Sequence, residues 1–450
     1  MTGQEAEVRL PLDWVDEFIS QIRAHISVRA VDRLLIVLPN QSYHLNASGL
    51  RLLEALLGGK RLSELVNITR LDAAKRRDLF DFFTSLVGLM KGCLGDGRGW
   101  RSVERIPYER PHHLLPVLSE IAITGRCNLA CRFCYASGPR TAPPPDLDTA
   151  SVLKLLNVIR RDAQIPSVSF TGGEPTLRAD LPQLVQAAHD EGLRVNLITN
   201  GTRIDTILAA KLRDAGLASA QVSIEGPDAG THDSLTAVSG SFEASLRGIQ
   251  ALKDAGILVH TNTTLSGENV SKAERMPAFV KSIGMERLSM NMVIPSAAIR
   301  EHDPGLLLKY SDIGALVLKV RDAARIAGIK FLWYSPTPYC LFNPIAHRLG
   351  SKGCAACDGL LSIDSQGRLL PCSSFYEPQG SLLESSFEDV WNAASTAGIR
   401  RKERAPAACR DCEQFGICEG ACPLYWNVMG CGELSSPGTQ SGEYIGGNRK

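Results

Sequence analysis

The chain has 450 residues, of which 44% are apolar and 22% charged, with a formal net charge of +1. It can therefore bury a large core and form two or three domains, and the near-zero charge gives no long-range attraction to nucleic acid or to an anionic membrane. There is no signal-peptide pattern and no apolar run of membrane-spanning length, so we expect a cytoplasmic protein without nucleic-acid or membrane partners. In that compartment the 13 cysteines are expected to bind metals or clusters rather than to form disulfides.

Residues 1–110 are expected to form a separate first domain. Its first helix is amphipathic, and the apolar face consists of Val15, Phe18, Ile19 and Ile22. Two short apolar strands follow at 34–39 and 43–46, joined by a turn. Three further helices are expected to start at Asn46 or Ser48, at Ser63 and near Ala73. This order of elements predicts a small winged-helix-like domain.

The stretch LLIVLPNQSYHLNASGLRLLEALLGG in this domain resembles the PqqD-like leader-recognition domains of systems that modify ribosomally made peptides. In that family a precursor peptide adds a strand to the sheet edge and lies against the last helix. The resemblance implies that residues 30–95 bind a precursor peptide. A plain winged-helix packing or nucleic-acid-binding module is the alternative. The nucleic-acid version is disfavoured because acids balance the basic residues and no aromatic residues interleave with them.

A basic, proline-rich linker from Arg101 to Pro116 precedes a region in which strands and helices alternate. Six strands are predicted at 118–124, 167–171, 194–199, 220–225, 258–265 and 287–294. Short apolar strands separated by helices indicate right-handed parallel βαβ units. The fold class is therefore α/β, and residues 111–335 are predicted to form a partial (β/α)6 barrel. Ligands of such barrels bind at the carboxyl ends of the strands.

The loop after the first of these strands contains Cys127, Cys131 and Cys134 in the spacing C-x3-C-x2-C, followed directly by Tyr135. Three thiolates can bind three irons of a cubic iron-sulfur cluster and leave the fourth iron open. A structural zinc knuckle or buried thiols are the alternatives. Zinc sites usually offer four ligands in paired C-x2-C units, and the nearby sequence supplies no fourth.

This motif resembles that of the radical S-adenosylmethionine (radical SAM) superfamily. The resemblance implies that Cys127, Cys131 and Cys134 hold a 4Fe-4S cluster and that S-adenosylmethionine occupies the open iron through its amino and carboxylate groups. One electron from the cluster would then cleave the cofactor to a 5′-deoxyadenosyl radical. Such an enzyme also implies an electron donor such as flavodoxin or ferredoxin.

The same resemblance assigns cofactor contacts to the ends of further strands. The segment 172–175 matches the superfamily's GGEP motif; its glycines allow a close approach to a ligand, and Glu174 can accept hydrogen bonds from an ammonium group. The expected cofactor-binding residues are Tyr135, Gly172, Gly173, Glu174, Pro175, Asn200, Ser223 and Glu225. Asn262 and Asn291 are expected either near the cofactor or substrate, or as strand ends satisfied by backbone or water.

Two departures from the family pattern leave the contact to the cofactor carboxylate open. Glu225 stands where the fourth strand of relatives often ends in an aspartate, and Thr236 stands where many relatives carry an arginine.

Nine cysteines lie beyond position 300. The pattern Cys357-x9-Gly367-x4-Cys372, then Cys409-x2-Cys412-x5-Cys418-x3-Cys422, then Cys431 resembles the SPASM extension of radical peptide and protein maturases. The resemblance implies that residues 336–431 hold two auxiliary 4Fe-4S clusters. The first would be bound by Cys354, Cys357, Cys372 and Cys422, and the second by Cys409, Cys412, Cys418 and Cys431.

Cys340 is left over by this division and could replace Cys354; if neither binds, one cluster keeps an open iron. Two tetrahedral zinc sites are the alternative. Cys93 has no ligand-spaced neighbour and is expected to be a small buried apolar side chain. The segment 363–372 predicts a hairpin and 381–391 a turn and helix, whereas 432–450 is rich in Gly and Ser and is expected to be disordered.

Together these patterns favour a radical maturase of a ribosomally made peptide. The alternatives are a radical maturase of a folded protein or a small metabolite, and a non-enzymatic, zinc-stabilised peptide carrier. The sequence specifies neither the catalytic acid or base nor the bond that is formed.

Overall fold

The computed structural model describes residues 10–39, 41–91, 113–134 and 144–435. The chain divides into two compact units, Met1–Val117 and Leu118–Lys450. Cys93, Tyr135, most of the predicted linker and the tail from residue 436 lie outside the described residues. None of the helices in the described ranges is long and apolar enough to cross a membrane.

The first unit contains an antiparallel sheet of three strands with β2 in the centre. Its strands are β1 (Ile26–Arg29), β2 (Leu34–Val37) and β3 (Gln41–His44). Its helices are α1 (Val15–Ile22), α2 (Ala47–Leu57), α3 (Leu62–Leu65) and α4 (Ala73–Met90). The predicted pair of strands is found as β2 and β3, whereas β1 is an additional strand of four residues. The predicted start of the short helix at Ser63 is wrong, because α3 begins at Leu62, whose N–H donates to Asp16.

The apolar face predicted for α1 packs into the core of this unit. Val15, Ile19 and Ile22 are buried in one cluster with Leu53 of α2 and Phe83 of α4. The side chain of Asn46 accepts a hydrogen bond from the Gly49 N–H at 2.7 Å and so caps α2, as predicted. A Cβ at Gly49 would lie 2.9 Å from the Phe82 ring. Helices α2 and α4 therefore approach each other closely at this glycine.

The small sheet has two edge strands, β1 and β3. The buried Arg29 guanidinium of β1 donates to the carbonyl oxygens of Pro116 and Leu115 at 2.7 and 2.8 Å, and Val117 packs on Leu34 and Ile36 of β2. No described strand pairs with the outer edge of β1 or of β3. A further strand could therefore pair with either edge, and β3 is one of the two.

The second unit is built on a ten-stranded sheet in the order β10-β9-β8-β7-β6-β5-β4-β11-β12-β13. The parallel strands are β4 (Leu118–Thr124), β5 (Ser167–Gly172), β6 (Arg194–Thr199), β7 (Leu217–Ser223), β8 (Leu258–Leu265), β9 (Arg287–Met292) and β10 (Lys330–Trp333). The helices among them are α5 (Thr149–Asn157), α6 (Leu181–Asp190), α7 (Thr206–Asp214), α8 (Ala229–Thr236), α9 (Ser241–Asp254), α10 (Met276–Ser282), α11 (Ala297–His302) and α12 (Tyr310–Ala327).

The six predicted strands are confirmed as β4 to β9, and the α/β class with them. Aspartates at positions 148, 205 and 228 accept hydrogen bonds from the first turns of α5, α7 and α8, which fixes where these helices begin. The strand β10, parallel to β9, extends the sheet beyond the predicted six.

The cysteine-rich region joins the same sheet. The strand β11 (Leu360–Ile363) pairs in parallel with β4. It forms the predicted hairpin with β12 (Arg368–Leu370), which pairs with β13 (Gly380–Ser381). The remaining helices are α13 (Phe387–Asn392), α14 (Ala394–Arg400), α15 (Ala407–Arg410), α16 (Phe415–Cys418) and α17 (Pro423–Met429). A 3₁₀ helix at Gly432–Ser435 shows that the prediction of disorder from residue 432 is wrong for these four residues. Glu433 there bonds to the Tyr425 hydroxyl and the Ser311 N–H.

Candidate active site and cluster-binding cysteines

The loop after β4 brings Cys127, Cys131 and Cys134 within electrostatic reach of one another. Burial raises the pKa of the Cys127 thiol, and it raises the pKa of Cys131 further, with smaller contributions from Glu225 and the neighbouring thiols. The thiols at these two positions are therefore protonated at neutral pH in the free chain, and a bound metal would displace their protons. The Cys127 sulfur accepts a hydrogen bond from the Leu129 N–H at 3.4 Å.

The cysteine loop is anchored to helix α8. The N–H groups of Ala130 and Arg132 donate to the carbonyl oxygens of Thr236 and Leu235 at 3.1 and 2.9 Å. The Arg132 guanidinium pairs with Asp303 at 2.6 Å and also with Glu268. These bonds fix the loop through its backbone and one cation.

The GGEP loop after β5 lies directly against the cysteine loop. The N–H of Gly173 donates to the Thr124 carbonyl at 2.9 Å, and the N–H of Glu174 donates to the Arg126 carbonyl at 2.8 Å. A Cβ at Gly172 or Gly173 would lie 2.2 Å from the Thr124 or Arg126 carbonyl oxygen respectively. The glycines are therefore required by the contact between the two loops.

Glu174 accepts hydrogen bonds from three neighbouring residues. Its buried carboxylate accepts from the Thr199 hydroxyl at 2.7 Å, the Asn200 N–H at 2.8 Å, and the N–H and hydroxyl of Thr176. Burial raises the pKa of Glu174, and these hydrogen bonds partly offset the shift. Glu174 therefore binds the end of β6, and its Oε2 atom accepts from Asn200 alone among these donors, so the predicted hydrogen bond from an ammonium group stays a prediction.

A cavity of about 530 Å³ opens beside the three cysteines at the carboxyl ends of the strands. Of the predicted cofactor contacts, those that line it are Gly172, Gly173, Asn200, Ser223 and Glu225. Glu174 and Pro175 are not among its lining residues. The opposite wall contains Tyr310, Tyr425 and Cys422, so the cavity reaches from the cysteine loop to the cysteine-rich region.

Glu225 and His232 form a buried pair at the cavity wall. The Glu225 carboxylate accepts from the Thr264 N–H at 2.8 Å, and burial raises its pKa to about 8. The Nδ1 atom of His232 accepts from the Glu225 N–H at 3.1 Å. Burial lowers the pKa of His232 to about 4, so the ring is neutral and its proton is on Nε2. This buried Nε2 has no hydrogen-bond partner among the described residues, and His232 lines the cavity, where a ligand could accept from it.

Asn262 and Asn291 also line the cavity. The Asn262 side-chain amide donates to the Asn291 side-chain oxygen at 2.8 Å, and the Ser289 hydroxyl donates to the Asn262 oxygen at 3.0 Å. The two asparagines therefore hold each other at the ends of β8 and β9 and still border the cavity.

The four C-terminal thiols of the first group, those predicted to bind the first auxiliary cluster, lie within electrostatic reach of one another. The Cys372 thiol interacts with Cys354 and Cys422, and the Cys357 thiol with Cys354. Cys357 is held by its N–H, which donates to the Pro371 carbonyl, and by its carbonyl, which accepts from Arg400 at 2.9 Å. Burial raises the pKa of Cys357 and of Cys422 to about 12.

The second group contains one thiol more than predicted. Burial raises the pKa of the Cys409 thiol to about 11, and further contributions come from Cys418, Cys340, Cys412 and Cys431. Cys340 is thus in electrostatic reach of the second group, and its predicted ability to replace Cys354 in the first group stays a prediction. In the described ranges no three His, Cys, Asp or Glu side chains converge closely enough to hold one metal ion.

Two tyrosines connect the barrel to the first group, and no sequence motif marks them. The rings of Tyr310 and Tyr425 lie 3.8 Å apart between centroids. The Tyr425 hydroxyl accepts from the Tyr310 N–H at 3.0 Å, and the Tyr310 hydroxyl accepts from the Cys422 N–H at 3.4 Å. The only signal in the sequence is that Tyr425 follows Cys422 within one helical turn.

Comparison with known proteins agrees with this geometry. Residues 121–280 match the model of the radical SAM superfamily, and residues 354–413 match the SPASM iron-sulfur cluster-binding domain. The chain contains a radical SAM domain and a SPASM domain. Its cofactors are accordingly S-adenosylmethionine and iron-sulfur clusters. The radical SAM match includes the cysteine loop and the GGEP loop, and the SPASM match includes Cys354 to Cys412.

The chain is also similar to several named proteins. The chain is 28% identical over 331 residues to an AdoMet-dependent heme synthase of Nitratidesulfovibrio vulgaris, covering 68% of this chain and 88% of the relative. It is 27% identical over 313 residues to a PqqA peptide cyclase of Xanthomonas euvesicatoria, covering 68% and 82%. The structure of Streptococcus suis SuiB bound to its precursor peptide SuiA has the same fold, with a TM-score of 0.64 at 17% identity, covering 90% of this chain and 95% of SuiB.

The residues of the site fit the cofactors that these domains imply. The three thiols of the cysteine loop border a cavity of about 530 Å³, which is also lined by polar residues of β5 to β9. The Nε2 atom of His232 is a buried donor without a hydrogen-bond partner among the described residues. An acceptor atom on a bound ligand would remove the free-energy cost of leaving this donor unpaired. Of the described thiols beyond residue 300, Cys422 also lines this cavity.

Proposed function

We propose that the chain is a radical SAM maturase that modifies a ribosomally synthesised precursor peptide. Residues 1–110 bind the leader of the peptide through the segment 30–95, residues 111–335 form the catalytic barrel, and residues 336–431 form the SPASM domain. Cys127, Cys131 and Cys134 bind the catalytic 4Fe-4S cluster. Cys354, Cys357, Cys372 and Cys422 bind one auxiliary 4Fe-4S cluster, and Cys409, Cys412, Cys418 and Cys431 bind a second. A flavodoxin or ferredoxin supplies the electron.

The proposal that the substrate is a peptide rests mainly on the edge strand β3. The Leu45 N–H donates to the Arg33 carbonyl, and the antiparallel register pairs Ser42 with Ile36. Hydrogen-bonded and non-hydrogen-bonded pairs alternate along such a ladder, so the N–H and C=O of Ser42 point away from β2. A peptide in extended conformation can pair with these groups and add a fourth strand.

Helix α4 offers side-chain contacts in the same unit. Phe82, Leu89 and Met90 on this helix are half-buried apolar residues that pack at the margin of the core. Part of each side chain therefore remains accessible to a ligand. An apolar residue of a leader peptide would gain about 25 cal/mol for each Å² of surface that it buries there.

The cavity supports a reaction on a bound substrate. When bound, the cluster and S-adenosylmethionine supply a carbon radical that abstracts a hydrogen atom. The chain's own residues position the reactants: Asn200, Ser223 and Glu225 stand on the strand ends beside the cysteine loop. Tyr310 and Tyr425 close the opposite wall and exclude water from that side.

The named relatives support both the chemistry and the substrate class. The PqqA peptide cyclases act on a peptide by name, and SuiB binds a precursor peptide in its structure. The likeness to SuiB covers 90% of this chain, whereas the alignments to the cyclase and the heme synthase cover 68%.

A second candidate is an enzyme of heme synthesis, favoured by the 28% identity to the AdoMet-dependent heme synthase over 68% of the chain. In that case the β3 edge would have no role in substrate binding. The substrate would be a heme-type tetrapyrrole, and a peptide would not compete for it.

A direct binding experiment separates the two candidates. The full chain, loaded with clusters and S-adenosylmethionine under anaerobic conditions, is titrated with fluorescent synthetic peptides encoded by short reading frames beside its gene, and separately with heme-type tetrapyrroles. We expect saturable binding of one peptide with a Kd in the micromolar range or tighter. Saturable tetrapyrrole binding, with no peptide binding, would instead establish the second candidate.

A further inference from the structure

Glu120 is a carboxylate on the inner wall of the barrel that no sequence motif marks. It lies on β4 and lines the cavity. Its Oε1 atom accepts from the Ser362 hydroxyl at 2.7 Å and from the Ser373 N–H at 3.2 Å. Ser373 also lines the cavity. The carboxylate is therefore held in place between the barrel and the cysteine-rich region, and both groups that hold it are neutral.

The second oxygen of this carboxylate is unused. No donor of the described residues lies within hydrogen-bond distance of the Glu120 Oε2 atom, and no described Lys or Arg forms an ion pair with Glu120. The side chain is partly buried, and a partly buried negative charge without a counter-charge costs free energy. A cation that enters the cavity would remove this cost and would find a free acceptor there.

The rest of the cavity wall offers no positive charge. Among the described residues that line the cavity there is no lysine or arginine. Burial lowers the pKa of His232 on this wall to about 4, so its ring is neutral. Glu225 is a second lining carboxyl group. Carboxylates of a tetrapyrrole would therefore meet this wall without a compensating cation, whereas a lysine or arginine side chain would find its acceptor at Glu120.

Glu120 also lies away from the expected cofactor contacts. It precedes Thr124, the last residue of β4, by four positions, which corresponds to roughly 13 Å along a strand that rises about 3.3 Å per residue. The cysteine loop follows Thr124, and Asn200 and Ser223 stand at the carboxyl ends of their strands. This position makes Glu120 available to a substrate rather than to the cofactor.

We propose that Glu120 is a substrate-binding residue that accepts a hydrogen bond from the charged side chain of a lysine or arginine in the core segment of the precursor peptide. The inference rests on the proposed peptide-maturase function and specifies the kind of peptide that the cavity takes. Hydrogen bonds between two charged groups are shorter than neutral ones and about twice as strong. One such bond in the barrel would hold the core segment inside the cavity.

Paired substitutions in the chain and in the peptide test this assignment. The cluster-loaded chain with S-adenosylmethionine is titrated anaerobically with fluorescent synthetic precursor peptides encoded beside its gene. Variants of the peptide that binds are made in which each core Lys or Arg is replaced in turn by Met. We expect one replacement to weaken binding at least about tenfold, as expected for the loss of a hydrogen bond between charged groups.

Glu120→Gln is the matching substitution in the chain. It keeps an oxygen for Ser362 and Ser373 and removes the charge, and an unchanged iron content shows that it folds. It should bind the natural peptide at least about tenfold more weakly and should no longer distinguish the natural peptide from the Met peptide. The control is Glu243→Gln, which removes an exposed carboxylate on α9 outside the cavity and should distinguish the two peptides as the unsubstituted chain does.

Three results would overturn the inference and leave the peptide substrate in place. They are equal binding of the natural and Met peptides by the unsubstituted chain, undiminished discrimination by Glu120→Gln, and a bound precursor whose core contains no Lys or Arg. The first and third of these do not depend on any variant of the chain. Failure of every peptide to bind would instead contradict the proposed function, and this inference with it.

Discussion

The carbonyl oxygen of Arg126 accepts a hydrogen bond from the Glu174 N–H at 2.8 Å and thereby joins the cysteine loop to the GGEP loop. A Cβ at Gly173 would lie 2.2 Å from the same oxygen. We therefore expect Gly173→Ala to displace the cysteine loop, since neither backbone segment can move alone. The strain should cost about 1–3 kcal/mol. Cleavage of S-adenosylmethionine should fall at least about tenfold, because a displacement of about 1 Å is costly in a catalytic site.

The matched control is Gly305→Ala, since a Cβ at Gly305 meets nothing within 4 Å. It should leave cofactor cleavage and iron content unchanged. Equal activity of the two variants would show that the contact between the loops does not position the cluster ligands.

The GGEP contact shows what the sequence could predict about the site. The motif places the loop at a strand end next to the cysteines, and the structure confirms that position. It does not reveal what the glutamate does, because the hydroxyl of Thr199 and the N–H of Asn200 come from a different strand. Which donors reach a buried carboxylate depends on strand register, and register is not encoded in a short motif.

A pH effect follows from the buried His232. Its pKa in the fold is about 4, against 6.5 for the free side chain. The unfolded chain thus binds a proton that the folded chain does not. Burial of the neutral His232 ring therefore does not reduce the stability of the fold above pH 6.5. As the pH falls from 6.5 toward 4, the unfolded chain gains a proton there and the free energy of unfolding decreases. Relative to His232→Asn, the wild-type free energy of unfolding should fall by about 1 kcal/mol between pH 7.5 and 5.5.

Thermal unfolding of the loaded protein at the two pH values measures this difference. The control is His302→Asn, because His302 is exposed. A wild-type midpoint that moves in parallel with that of His232→Asn would contradict the buried neutral imidazole.

From the contact between Tyr425 and Tyr310 we predict that the substitution Tyr425→Phe destabilises the fold. Tyr425→Phe removes the hydroxyl that accepts from the buried Tyr310 N–H. An unsatisfied buried donor costs about 1–3 kcal/mol. Because the Tyr310 hydroxyl also contacts the Cys422 N–H, we expect faster loss of iron from the first auxiliary cluster in the presence of a chelator.

Tyr376→Phe is the control for this variant. Tyr376 is 68% exposed, and its hydroxyl accepts from Arg368 at 2.6 Å. Iron loss at the wild-type rate in Tyr425→Phe would show that the tyrosine pair does not support the cluster ligand.

If a precursor peptide pairs with the edge of β3, two substitutions of Ser42 should differ in their effect on peptide binding. Ser42→Pro removes the N–H that points away from β2 and leaves the ladder to β2 intact. Ser42→Ala keeps the N–H and removes only the hydroxyl. We expect Ser42→Pro to weaken precursor binding at least about tenfold, as expected for the loss of a main-chain hydrogen bond and a steric block to strand addition. Ser42→Ala should bind like wild type.

Both variants should cleave S-adenosylmethionine at the wild-type rate without peptide, which separates leader binding from catalysis. Equal peptide affinity of Ser42→Pro and Ser42→Ala would mean that the peptide does not pair with β3.

The sequence did not predict the strands β1 and β10, which have four residues each. The equally short β2 was predictable because Leu34–Val37 is an unbroken apolar run, whereas Ile26–Arg29 is interrupted by a serine and ends in an arginine. The place of Cys340 is set by a contact between Tyr339 and Cys418, which lie far apart in the chain. The longer periodic strands β4 to β9 were predictable, because alternating strands and helices impose the parallel sheet.

The central claim is that the chain uses radical chemistry on a peptide. The most direct test incubates the reduced, cluster-loaded protein with S-adenosylmethionine and the precursor peptide under anaerobic conditions and analyses the products by mass spectrometry. We expect 5′-deoxyadenosine to form in a peptide-dependent manner, together with a changed mass or altered stereochemistry in the peptide. Iron-free protein with stoichiometric zinc, or deoxyadenosine formed beside an unchanged peptide and a converted tetrapyrrole, would contradict the account.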